Sequence, residues 1–196
     1  MSNVNGKPVG RGGDSDFVFD MRSLSRQPGS YREETRGASA PAGLKTGLAE
    51  VPAGADVALD LRFEAVSEGV LVTGSAVAPL TGECARCLDP LTSEVEVSFQ
   101  ELYRYLPDPG EDDEDEEDRF LDGDRLDLEP AFRDAVVLAL PLSPLCRDDC
   151  PGLCAECGAK LAEAGPDHGH GENLDPRWGA LRQLDVSDRE EDRQES

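Results

Sequence analysis

The sequence predicts an α+β fold: an antiparallel β-sheet or partial barrel with one or two packed helices and a C-terminal cysteine-knuckle segment. Three observations carry that expectation. Between Asp56 and Leu106 apolar and polar residues alternate with a period of two, which sends one face of each strand into a core. Between Asp127 and Leu140 apolar residues recur at helical spacing. Four of the six cysteines then fall between Cys146 and Cys157.

In chain order, residues 1–13 are Gly-rich and polar and are expected to be disordered. Phe17–Leu24 (FVFDMRSL) reads as a short strand, and QPGSYREETRGASAPAG as a loop. In DVALDLRFEAV (Asp56–Val66), Val57, Leu59, Leu61 and Phe63 share a face. The turn SEGV leads into a second strand, Val70–Glu83, and Leu91–Leu106 makes a third, with Val95, Val97, Phe99 and Leu102 inward. The eight consecutive acids Glu111–Asp118 cannot pack against one another and read as a solvated loop over 108–119. A sharper reading makes that loop a docking arm for a basic partner. In the helix that follows, Pro130 suits the first turn, Asp127 is a candidate cap and Pro141 is the stop. Phe132, Val136 and Leu140 lie on its inner face, with Val137 beside them. NLDPRWGALRQL makes a last short helix whose apolar side, Trp178, Leu181 and Leu184, is expected to dock on the body. These elements give a single domain over 14–185, with a cysteine-rich segment at 146–170 and a disordered tail at 186–196.

Charge narrows the partners. The chain has 196 residues, with 42 Asp and Glu against 19 Lys and Arg, a formal net charge of -23. Such a balance repels phosphate backbones and favours basic partners. Aromatics make up 5%, with 20 Gly and 14 Pro, so the core is modest. No apolar run reaches the roughly 18 residues of a membrane span, and MSNVNGKPVGRGGDSD lacks the apolar stretch of a secretory signal. The expected location is the cytoplasm, where thiols stay reduced and clustered cysteines read first as metal ligands.

Cys84 and Cys87 form CARC after the second strand; Cys146, Cys150, Cys154 and Cys157 follow in a C-x3-C-x3-C-x2-C run. A C-x2-C turn places two sulfurs on two corners of a tetrahedron with zinc–sulfur distances of about 2.3 Å. Gly158, after CAEC, permits positive φ and amide donors to sulfur; CARCL lacks that glycine and reads as the weaker knuckle. Six thiolates are two short of two tetrahedral sites, and DHGHG supplies His168 and His170, the only histidines. The economical partition is two structural sites: Cys84, Cys87, Cys146 and Cys150; then Cys154, Cys157, His168 and His170. One rival joins Cys84, Cys87, Cys154 and Cys157 and leaves Cys146 and Cys150 free. Another is a local four-cysteine site within 146–157. Arg86 and Arg147 are placed to offset the negative charge of a four-thiolate zinc. A closed four-ligand site has no open position for catalysis. No Ser-His-Asp pattern or phosphate loop appears, and the strand-to-helix placement of a dithiol redox motif is missing.

Taken together, LSRQPGS, GECARCLDPL, an acidic loop, LALPLSPLCRDDCPGLCAECGAKL and DPRWGALRQL, running from about Phe17 to Leu184, resemble the YceD family, the large-subunit ribosomal RNA accumulation proteins. The resemblance implies a cytoplasmic, non-catalytic factor for 23S ribosomal RNA synthesis, processing or accumulation, acting with the pre-ribosomal large subunit. It also implies metal-type ligands at Cys84, Cys87, Cys146 and Cys150. In longer family members a C-x-C often follows the later pair; DHGH stands there in this chain, and His for Cys is a sound zinc-ligand exchange. Charge and resemblance together suggest a basic ribosomal protein as partner, with no membrane and no small-molecule substrate. Two rival readings stand beside this one. The first is direct RNA binding through Arg86, Arg104, Arg177 and Arg182. The second is a thiol redox or metal-dependent RNA-processing enzyme, which needs a reactive thiolate or an open metal position.

Overall fold

A computed structural model describes residues 15–106, 119–165, 167–170 and 177. It divides into two compact units, Met1–Cys150 and Pro151–Ser196. The first is built on a sheet of six strands: β2 (Tyr31–Ser39), β3 (Ala49–Glu50), β4 (Asp56–Ala65), β5 (Gly69–Glu83), β6 (Pro90–Arg104) and β7 (Arg119–Phe120). A two-stranded sheet pairs β1 (Val18–Asp20) with β8 (Arg125–Asp127). The large sheet runs β2-β4-β5-β6-β7, with β3 on β5 beyond the β4 ladder. All its pairs are antiparallel except β6 with β7. Among the described residues the sheet does not close into a barrel: β2 and the two-residue β7 stand at opposite ends of the order without pairing.

The alternation in β4 and β5 folds as the pattern requires. Val57, Leu59, Leu61 and Phe63 are buried, as are Val70, Val72, Ala76, Ala78 and Leu80 from β5. Gly74 keeps the same parity but carries no side chain because Phe99 lies against it: an added Cβ would stand 2.6 Å from that ring. On β6 Val95, Val97 and Tyr103 are buried, and Phe99, of the same parity, is partly buried against the core. Leu102 has the opposite parity and is half-buried, so the expected inward Leu102 is replaced by Tyr103.

The segment expected to be a loop contains the nine-residue strand β2. It has no apolar alternation because arginines do the covering. Arg32, Glu34 and Arg36 stand opposite Phe63, Leu61 and Leu59 of β4 and so share the apolar face. The Arg32 guanidinium lies 5.1 Å from the Phe63 ring centroid and Arg36 lies 4.0 Å from that of Phe19. Arginine stems cover apolar surface while their heads remain polar. On the other face Thr35 donates to Asp60 at 2.6 Å.

Helix α1 (Glu129–Ala139) packs across the sheet. Asp127 is not its N-cap, which is Leu128; its carboxylate instead accepts the Glu129 amide at 3.0 Å. Phe132, Val136 and Leu140 are buried, Phe132 stacking on Phe17 at 4.7 Å between centroids. Leu140 turns to extended backbone and Pro141 stops the helix. In the second unit, Leu153 and Lys160 form a bridge before the one-turn helix α2 (Leu161–Ala164). No helix among the described residues is long and apolar enough to cross a membrane. Glu111–Asp118, Trp178, Leu181, Arg182, Leu184 and the 186–196 tail lie outside the described residues, whereas Arg119 begins β7 and not the end of an acidic loop.

Phe132→Ala is expected to cost about 3–5 kcal/mol in denaturant unfolding, because it deletes a fully buried ring. Leu138→Ala on the same helix, where the side chain is 86% exposed, is expected to stay within about 0.5 kcal/mol.

Candidate metal centres

The long β5–β6 hairpin ends in the turn that holds Cys84 and Cys87, and the segment leaving α1 brings Cys146 and Cys150 to it. The Ala85 amide donates to the Pro144 carbonyl at 2.8 Å, and Arg86 donates to the carbonyls of Cys150 at 2.9 Å and Asp148 at 3.4 Å. The four sulfurs lie within 4.8 Å of one another. Cys84 Sγ is 3.8 Å from Cys150 Sγ, and Cys87 Sγ is 3.7 Å from Cys146 Sγ. A tetrahedron with metal–sulfur bonds of about 2.3 Å has edges of about 3.8 Å, so the spacing fits one ion. Cys84, Cys87 and Cys150 are buried beneath Leu91 and Leu145, while Cys146 is exposed. All six cysteines are free thiols.

Amide donors set the charge on these sulfurs. The N–H of Cys146, then those of Cys87 and Arg86, hold the Cys84 thiol down to about 6 despite its desolvation. At Cys87 the Asp89 amide also favours the thiolate. Burial and the sulfurs of Cys84, Cys146 and Cys150 outweigh it and push the group up to about 12. Cys146 is raised chiefly by its contact with Cys150. The Asp89 carboxylate, which sequence reasoning did not single out, accepts from the Cys87 thiol at 3.4 Å.

Cys154, Cys157, His168 and His170 form a second group, again with ligand atoms within 4.8 Å of one another. His168 Nε2 and His170 Nε2 lie 3.5 and 3.2 Å from Cys157 Sγ, and 3.1 Å from each other. With metal–nitrogen bonds of about 2.0–2.1 Å the corresponding tetrahedral edges are about 3.6 and 3.3 Å. The amides of Cys157 and Glu156, then the His168 ring, draw the Cys154 thiol down to about 6. His170 turns Nδ1 toward the Glu156 carboxylate at 3.8 Å. A carboxylate behind an imidazole fixes which nitrogen faces a metal. Glu156 was legible only in hindsight, as an acid between two ligands.

The eight candidate residues thus gather into two groups with the membership of the two-site partition, and each group lies within one unit. Both C-x2-C turns have the same hydrogen bonds. Cys84 N–H donates to Asp89 and Leu88 N–H to Cys84; Cys154 N–H donates to Ala159 and Gly158 N–H to Cys154. CARCL makes the same backbone turn as CAECG without the glycine: Leu88 adopts the positive φ, 60°, that Gly158 adopts at 72°. Arg147 pairs with Asp149 at 3.3 Å. Of the four arginines considered for RNA contact, Arg86 is engaged with backbone carbonyls inside the first unit, and Arg177 belongs to the second.

The family description "Large ribosomal RNA subunit accumulation protein YceD" matches residues 72–185. Uncharacterized proteins of Mycobacterium bovis and Mycobacterium tuberculosis are each 45% identical over 187 residues, covering 94% of this chain and 88% of theirs. One from Mycobacterium leprae is 40% identical over 172 residues, covering 87% and 78%. No solved structure matches. The ordered cysteine pairs, the helix that delivers Cys146 and these matches lead to one conclusion: the chain belongs to the YceD family of large ribosomal RNA subunit accumulation proteins.

Proposed function

We propose that this protein is a non-catalytic ribosome-biogenesis factor of the cytoplasm. It supports 23S ribosomal RNA synthesis, processing or accumulation and large-subunit assembly, and it does so by binding a basic ribosomal protein. Family membership carries the link to the large subunit. The formal charge of -23 favours a basic partner over bare RNA. Each cysteine-containing group holds one structural Zn2+, with Cys84, Cys87, Cys146 and Cys150 on one ion and Cys154, Cys157, His168 and His170 on the other. Thiolate and imidazole donors in fours suit zinc, and a closed set of four has no place for a reacting water. The role of the metal is to hold two short, loop-rich segments that have little core of their own.

Three outcomes follow from this reading. Elemental analysis of the purified protein is expected to give about two zinc per chain with no rapidly titrating thiol. Cys84→Ser and Cys157→Ser should each remove about one zinc, whereas one zinc with two reactive thiols would favour a single mixed site and no metal a redox protein. In metal-free protein, thiolate absorbance for about one thiol per chain is expected to rise near pH 6, from Cys84, whose unit keeps its own apolar core. A depressed pKa means the thiolate is present above that pH and lost below it, so zinc uptake weakens on acidification; six thiols ionising together in the ordinary range would contradict the amide-donor account. Finally, capture of large-subunit ribosomal proteins by the whole chain should fall steeply with added salt. Salt-insensitive capture, or none, would sink the basic-partner reading, and a gel shift with 23S fragments at low salt would support direct RNA binding instead.

A further inference from the structure

We propose that Leu88 and Leu142 form an apolar anchor, built on the first knuckle, for a basic protein segment; this rests on the basic-partner reading above. The two C-x2-C turns are equivalent in hydrogen bonding, and the residue after the second cysteine takes positive φ in both. Gly158 does so freely, while Leu88 carries a Cβ into a region that L residues avoid. The turn alone would be made with less strain by glycine. Core packing does not account for the leucine either. Leu88 is 55% exposed, and the partly buried apolar residues packed on the buried sulfurs are Leu91 and Leu145. A large apolar side chain kept both strained and exposed points to a use outside the fold.

A second exposed leucine lies on the segment that meets the knuckle. The Ala85–Pro144 hydrogen bond seats the turn against the segment that carries Leu142, which is 82% exposed. Charge selects the occupant. Glu83, Asp89, Asp148 and Asp149 surround this corner in sequence and through the Arg86–Asp148 contact. Of the arginines there, Arg86 is engaged with backbone carbonyls and the exposed Arg147 is paired with Asp149. Four thiolates around a divalent ion add further negative charge. An apolar side chain flanked by Lys or Arg on a partner protein complements that corner, whereas a phosphate backbone does not.

The test uses the zinc-loaded full chain and, as probe, the total protein extracted from purified large ribosomal subunits. Leu88→Asn and Leu142→Ser are each expected to weaken capture about tenfold, the effect of exposing one buried leucine, with zinc content and thermal midpoint no lower than in the parent. Leu88→Gly repeats the test with the residue the second knuckle uses, where folding of the turn is assured. If the parent chain captures these proteins and all three variants capture them equally well, the anchor is wrong while the basic-partner reading stands. If the parent captures none, that reading falls and the anchor falls with it.

Discussion

Four sulfur atoms within 4.8 Å of one another cannot all ionise without a cation between them. The first site displays that conflict in its own thiols: amide donors hold Cys84 down to about 6, while neighbouring sulfurs and burial push Cys87 up to about 12. A divalent ion would resolve it by replacing repulsion between thiolates with four short bonds. The gathering of Cys84, Cys87, Cys146 and Cys150 joins the tip of the longest hairpin to the segment that leaves the helix. The long hairpin and the helix are tied together at that junction. β5 and β6 run fifteen residues each, paired from Gly69 with Arg104 to Glu83 with Pro90, and α1 lies across the sheet through Phe132 and Val136. Hydrophobic contacts fix the middle of this unit; the sulfurs fix its end.

The second site applies the same turn to a different need. Among its described residues that unit has the helical turn α2 and one bridge beside the ligands, and none of the residues of α2 is buried. The order in that unit therefore derives from the donor set: two sulfurs, two imidazoles, the amides that point at Cys154, and Glu156 behind His170. Such a unit is expected to form and dissolve with its metal, whereas the first unit keeps an apolar core of its own.

Much of this was legible in the residues, for physical reasons that differ from element to element. Strands β4 and β5 and the helix were readable because their burial pattern is written in apolar side chains. Strand β2 was hidden because Arg32 and Arg36 cover Phe63 and Phe19 with their guanidinium groups, and a sequence of charges does not look like a buried face. Leu102 was assigned inward by its apolar character, while parity gives that place to Tyr103. The metal groups could be enumerated from ligand arithmetic, but their membership depended on which turn met the end of α1, a tertiary fact. The conformation of Leu88 was invisible as well: its sequence neighbours suggested a knuckle lacking its glycine, and only the backbone angle revealed a leucine in a glycine's place.

The central claim is that two closed tetrahedral sites of unlike composition hold the ends of this protein. Zinc-edge X-ray absorption on the purified chain tests it most directly, because the signal averages over both ions. Four sulfurs on one ion and two sulfurs with two nitrogens on the other predict an average of about three sulfurs near 2.3 Å and one nitrogen near 2.0–2.1 Å per zinc. An all-sulfur shell, or a shell completed by oxygen from water, would contradict the account.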